Sequence, residues 1–220
     1  MRHFKLALVF ILGLTACAPG GESDRIEKLI GQMTIEEKVG QLIQYTGRWE
    51  MTGPAPDNDW AQMGLKKIES GELGSMLNVA GAEATRNAQK LTMENSRLGI
   101  PMIFGYDVIH GYRTMFPMPL AEAATWEPEL ARQTSRVAAI EAAAAGIHWT
   151  FAPMVDISRD ARWGRIVEGS GEDPYLGSLF AVERVKGFQG EDLSANSTIA
   201  ACAKHFAAYG FVEGGRDYNT

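Results

Sequence analysis

Charged side chains gather in this chain where short apolar runs end. Asp107 follows the run Ile100 to Phe104, inside Gly105-Tyr-Asp-Val-Ile-His-Gly-Tyr-Arg113. Asp156 follows Trp149 to Val155 and opens a stretch reaching Tyr175. That stretch holds three arginines (Arg159, Arg162, Arg165), five acids (Asp156, Asp160, Glu168, Glu172, Asp173) and Trp163. Lys204 and His205 follow Ile199 to Ala203. A carboxylate accepts from two donors at once, which suits vicinal hydroxyls of a sugar, and a guanidinium offers a rigid fork of donors for sugar oxygens. Plainer roles fit the same residues. Asp107 can cap a turn, two of the three arginines can neutralise acids of their own loop, and Trp163 can pack that loop instead of stacking on a ring. Neighbouring strand residues point to opposite sides, so Lys204 and His205 face one ligand only where the strand ends or bulges.

Other chemistries find less support. His110, His148 and His205 lack metal-ligand spacing, so no metal is expected. Gly169-Ser-Gly171 lies in the charged loop without the spacing of a serine nucleophile elbow. No glycine-rich phosphate or dinucleotide fingerprint opens a helix, and no cofactor is expected. A formal charge of −6 and a pI near 5.3, with no basic stripe, argue against nucleic acid as a partner. Cys202 lies in the small-residue run Thr198 to Ala203 and reads as a buried, inert thiol.

The elements that must position these residues alternate. Apolar runs at 73–79, 100–104, 149–155 and 199–203 predict strands. Amphipathic or alanine-rich segments at 57–70, 82–96, 127–145 and 174–189 predict helices, and Thr34-Ile-Glu-Glu37 reads as a capping box before a further helix. Strands alternating with helices predict an α/β fold on a parallel sheet. Asp107, Asp156 and Lys204-His205 all fall at carboxyl ends of strands, where (β/α)8 barrels build their sites. About four strands are legible, so the expected architecture is a TIM-type barrel represented by its first half.

Residues 1–16 have the layout of an export leader, with Arg2 and Lys5 ahead of the apolar run Leu6 to Leu14. Leu14-Thr-Ala-Cys17 resembles a bacterial lipobox, which makes Cys17 the expected lipidation site, 17–23 a tether and 24–220 the barrel segment. Alanine at position 18 favours the outer membrane by the sorting habit of that class. Acyl chains would anchor the protein through about 0.8 kcal/mol per buried methylene. Loss of Arg2 and Lys5 with the leader takes the formal charge from −6 to −8.

Several ordered motifs together resemble the N-terminal barrel domain of family 3 glycoside hydrolases, bacterial periplasmic β-glucosidases in particular. They are Met33-Thr-Ile-Glu-Glu-Lys-Val-Gly-Gln-Leu42, Tyr106-Asp-Val-Ile-His-Gly111, Ala152-Pro-Met-Val-Asp156, Arg159-Asp-Ala-Arg-Trp-Gly-Arg165, Glu172-Asp-Pro174, Ala203-Lys-His-Phe-Ala-Ala-Tyr-Gly210 and Gly214-Gly-Arg-Asp-Tyr-Asn219. The resemblance implies retaining hydrolysis of terminal β-glucosyl residues by two carboxylates. It implies that Asp107, Arg165, Lys204 and His205 bind hydroxyls of the nonreducing-end sugar. The family's nucleophile lies in a Ser-Asp motif after a later strand, and its acid/base later still, so neither catalytic carboxylate is expected among these 220 residues. Lys204-His-Phe-Ala-Ala-Tyr-Gly210 differs from the Lys-His-Phe-Pro-Gly-His-Gly of the N-acetylhexosaminidase branch and disfavours it. The remaining alternatives are a β-xylosidase or exo-glucanase of the same family and a non-catalytic sugar-binding lipoprotein or decayed glycosidase fragment.

Overall fold

A computed structural model of the protein describes residues 21–47 and 59–217. The leader, Cys17 and the Gly53-Pro-Ala-Pro56 stretch lie outside the described residues. The chain divides into two compact units, Met1–Thr34 and Ile35–Thr220. The first carries helix α1 (Glu22–Gln32), whose apolar Ile26, Leu29 and Ile30 recur at helical spacing. Glu22 and Asp24 complement the positive end of its dipole.

The second unit begins with α2 (Ile35–Gly40) and then alternates. Strand β1 (Gln44–Thr46) is followed by α3 (Asp59–Ser70), β2 (Ser75–Leu77), α4 (Ala82–Asn95) and β3 (Ile103–Tyr106). Two helices, α5 (Pro119–Ala123) and α6 (Pro128–Ala144), lead to β4 (Trp149–Thr150), and α7 (Pro174–Gln189) follows. All three strand pairs are parallel and the sheet order is β1-β2-β3-β4. Every crossover therefore advances the same way. A doubly wound sheet needs a point where the order reverses, and this sheet has none, as an arc of a barrel requires. Parallel bridges from Trp149 to Ala200 and from Met154 to Lys204 add a fifth position beside β4.

The strands are shorter than the apolar runs that predicted them, and the 199–203 run forms isolated bridges rather than a ladder. β1 was not legible, because three residues with one large apolar member show no alternation. The five-residue α5 was missed for the same reason of length.

Alternation along the strands assigns the faces. Met76 and Phe104 are fully buried and share a cluster with Ile68 of α3 and Ala84 and Ala88 of α4. Val108, Ala152 and Ile199 pack with Ala138, Ala139 and Ala142 of α6 and Phe188 of α7. The alanine-rich segment is thus a close-packing face. A Cβ at Gly187 would come within 2.5 Å of the Arg132 carbonyl oxygen and 2.6 Å of Ser135 Cβ, so only glycine fits where α7 meets α6. Ile199 and Ala201 turn toward the helices, and the intervening residue and Cys202 turn away. Cys202 is accordingly half-buried, not buried as its apolar surroundings predicted.

Candidate functional site

The site residues are carried by three successive strand ends. Tyr106 closes β3 and Asp107 follows it, half-exposed. The turn after Asp107 is tight. Gly111 has φ +125°, and a Cβ there would lie 2.0 Å from the Thr114 carbonyl oxygen. His110 Nδ1 sits 2.9 Å from the Phe116 carbonyl oxygen, which gives that histidine a loop-holding role.

Asp156 and Lys204 meet through the parallel pairing beyond β4. Met154 bridges Lys204, and the Val155 amide donates to the Lys204 carbonyl at 2.8 Å. Asp156 then receives two hydrogen bonds on one oxygen, from the His205 amide at 3.0 Å and from His205 Nδ1 at 2.7 Å. A carboxylate oxygen only accepts, so Nδ1 carries a proton, and in the neutral ring Nε2 is left as an acceptor. Nε2 lies 3.5 Å from Arg165 Nη1, at the outer limit of a hydrogen bond. The Lys204–His205 peptide is cis, and both side chains reach the same cluster.

Arg165 gives Nε and Nη2 to the two oxygens of Glu168, at 2.6 and 2.7 Å. Its guanidinium also lies over the Tyr209 ring, 5.4 Å from the centroid. The Tyr209 ring in turn meets His205 edge-on at 4.7 Å and Trp163 at 5.4 Å. Lys204 Nζ lies 3.7 Å from Asp107 and 3.9 Å from Glu168. Asp107, Lys204, Glu168, Arg165, His205 and Asp156 therefore form one connected chain in which acids and bases alternate except at the Arg165–His205 step. The hydrogen bonds from Arg165 hold the Glu168 carboxyl below its ordinary value against the opposing effect of burial, and the charges of Arg165 and Lys204 add smaller contributions in the same direction. Its partner Glu168 pushes Arg165 upward.

The four residues singled out in the sequence, Asp107, Arg165, Lys204 and His205, are brought together. Three further members, Glu168, Asp156 and Tyr209, were given no binding role. Glu168 stands three residues after Arg165, a spacing that could have paired them. Asp156 ends a strand as Asp107 does, beside the run bearing Lys204. Tyr209 carried no local signal.

The rest of the charged loop holds its own shape. Arg162 clamps Asp160 with bonds of 2.9 and 2.6 Å and, with its amide, lowers that carboxyl to about 2. Arg159 lies over Phe211 instead of an acid. Trp163 is buried with Met154 and Val212 and donates to Asp217 at 2.5 Å, so it packs the loop and offers no face to a sugar. Asp173 caps α7 by accepting from the Leu176 amide at 2.7 Å. Arg184 of α7, buried, anchors the loop from beneath. It donates to Ser170 Oγ at 3.2 Å, to the Pro119 carbonyl at 3.1 Å and to Glu122 at 3.0 Å.

A cavity of about 740 Å³ lies elsewhere, at the opposite ends of the strands, lined by Ile103, Ile147, Trp149 and Ala200 among others. It contains none of the converging charged groups and has no part in the site.

A parallel sheet wound in one direction, with charged residues converging past its carboxyl ends, is the frame of a barrel enzyme. The model of the glycosyl hydrolase family 3 N-terminal domain matches residues 34–220, and the chain belongs to that family. Among curated relatives, the periplasmic β-glucosidase of Salmonella typhimurium is 40% identical over 210 residues, covering 96% of this chain and 26% of that protein. A putative β-xylosidase of Formosa agariphila is 34% identical over 210 residues, covering 89% and 28%. The crystal structure of a β-glucosidase from Listeria innocua in complex with isofagomine superposes with a TM-score of 0.77 at 40% identity, covering 90% of this chain and 28% of that one. The chain thus spans about a quarter of the length of the relatives it matches.

Proposed function

We propose that this domain supplies the glycone-binding wall of an exo-acting, retaining β-glucosidase. The observation that carries the proposal is the convergence of Asp107, Arg165, Lys204 and His205 past three adjacent strand ends in a family 3 chain. Asp107 has the exposure to accept from two ring hydroxyls. Lys204 and the Nη donors of Arg165 that Glu168 does not take donate to others, and His205 Nε2 accepts. Contacts that tighten as the ring moves toward an oxocarbenium-like geometry lower the barrier.

The carboxylates gathered here fit binding better than bond cleavage. Asp156 is taken by His205, Glu168 by Arg165, and Asp107 faces Lys204. The nucleophile and the acid/base are assigned to sequence outside these 220 residues. The 40%-identical relative supports export to the periplasm, and the lipobox-like Leu14-Thr-Ala-Cys17 supports a lipid anchor at the outer membrane.

The complete gene product is expected to hydrolyse aryl β-glucosides with a higher kcat/KM than aryl β-xylosides. The reverse order would assign it to the β-xylosidase branch, and no turnover of either would favour a binding protein.

A further inference from the structure

Arg165 and Lys204 come from different segments, yet both must aim at one small ring. A guanidinium has five N–H donors in a fixed plane. Bidentate pairing with Glu168 takes Nε and one Nη2 hydrogen and leaves the remaining N–H groups on the two Nη nitrogens, one of them engaged by Tyr209. Nη1 faces His205, 3.5 Å from Nε2. The face of the guanidinium is covered by Tyr209. Glu168 thus fixes the in-plane rotation of the fork, and Tyr209 fixes the plane.

The same carboxylate reaches the second cation. Glu168 Oε2 accepts from Arg165 Nη2 at 2.7 Å and lies 3.9 Å from Lys204 Nζ. Lys204 has a mostly buried side chain, 13% exposed, with Asp107 on its other side. One acid therefore sets the relative placement of two donors. Without it the fork can turn its Nε edge toward His205 or Asp107, and Lys204 keeps Asp107 as its acidic neighbour.

We propose that Glu168 is a positioning residue of the subsite, neither nucleophile nor acid/base. It selects which edge of Arg165 meets a pyranose and holds Lys204 in register with it. The inference rests on the glycone-site reading above. Its ligand class is a pyranose with free equatorial hydroxyls, presented to the guanidinium donors that Glu168 and Tyr209 leave over and to one ammonium.

The test is a double-mutant cycle on the complete gene product, with glucose affinity measured by calorimetry. Glu168→Gln keeps the size but loses the second acceptor oxygen and the charge. It is expected to weaken glucose about tenfold or more, as misplacement of a binding group does. Arg165→Lys removes the fork, and the double variant is expected to lose clearly less than the sum of the two single losses, because Glu168 acts in large part through Arg165 and only the remainder through Lys204. Glu168→Asp, which restores the charge, should recover part of the loss. Wild-type affinity in Glu168→Gln, or losses that add, would overturn the proposal. If Glu168→Gln does not fold, Glu168→Ala is read in the same cycle with the same two outcomes. A crystal structure of the sugar-free Glu168→Gln protein gives an independent reading. An Arg165 fork turned away from His205 supports the proposal, and an unmoved fork overturns it. Absence of glucose binding by the wild type would defeat the glycone-site reading, and the sugar-free structure would still decide whether Glu168 holds Arg165.

Discussion

Arg165 pairs within its own loop and also stands in the proposed subsite. The family resemblance marked it as a sugar-binding group. As one of three arginines in an acid-rich loop it was also a candidate to neutralise that loop, and its pairing with Glu168 does so. The sequence could not reveal which edge of the fork stays free, because that depends on Tyr209 and His205, forty or more residues away. The pairing has a pH signature. Glu168 is held below the ordinary glutamate value of 4.5. A carboxyl lowered in the folded state contributes its stability fully above the ordinary value and loses it as pH falls through the folded one. The thermal midpoint of the wild type is therefore expected to drop more steeply below about pH 4.5 than that of Glu168→Gln. Parallel curves would remove the pair from the stability of the site.

At the scale of elements, the long helices were legible because their apolar positions repeat. Predicted spans of 127–145 and 174–189 correspond to α6 at Pro128–Ala144 and α7 at Pro174–Gln189. β1 and α5 were not, since three and five residues are too few to establish a period. α5 nevertheless matters to the site. Its Glu122 pairs with Arg184, which also holds Ser170 and the Pro119 carbonyl. Burial pulls Arg184 downward, and Glu122 opposes that pull. Removing one member of such a pair strands the other in a poorly solvated place. Arg184→Ala is expected to cost about 3–5 kcal/mol, read from denaturant unfolding, and to loosen the 156–175 loop. A loss within about 0.5 kcal/mol, the range of a surface substitution, would show that the pair is dispensable.

At the scale of the molecule, strands in chain order with site residues past their carboxyl ends made the barrel class readable before any pairing was known. The strand lengths were not readable. An apolar run continues into the loop wherever both faces are buried, as at Ala152, Pro153 and Met154 beyond β4. Export and anchoring belong to this scale too. If Cys17 is acylated, metabolic labelling with a radioactive fatty acid is expected to mark the wild type and to be lost in Cys17→Ser. Labelling that survives the substitution would place the lipid elsewhere.

In the proposed subsite Asp107 and its neighbours hold the sugar. The most direct measurement is kcat/KM of the complete gene product for an aryl β-glucoside, with and without Asp107→Ala. Charge-assisted hydrogen bonds to ring hydroxyls that strengthen in the transition state predict a fall of about two orders of magnitude or more. Near wild-type kinetics in a folded Asp107→Ala protein would contradict the claim.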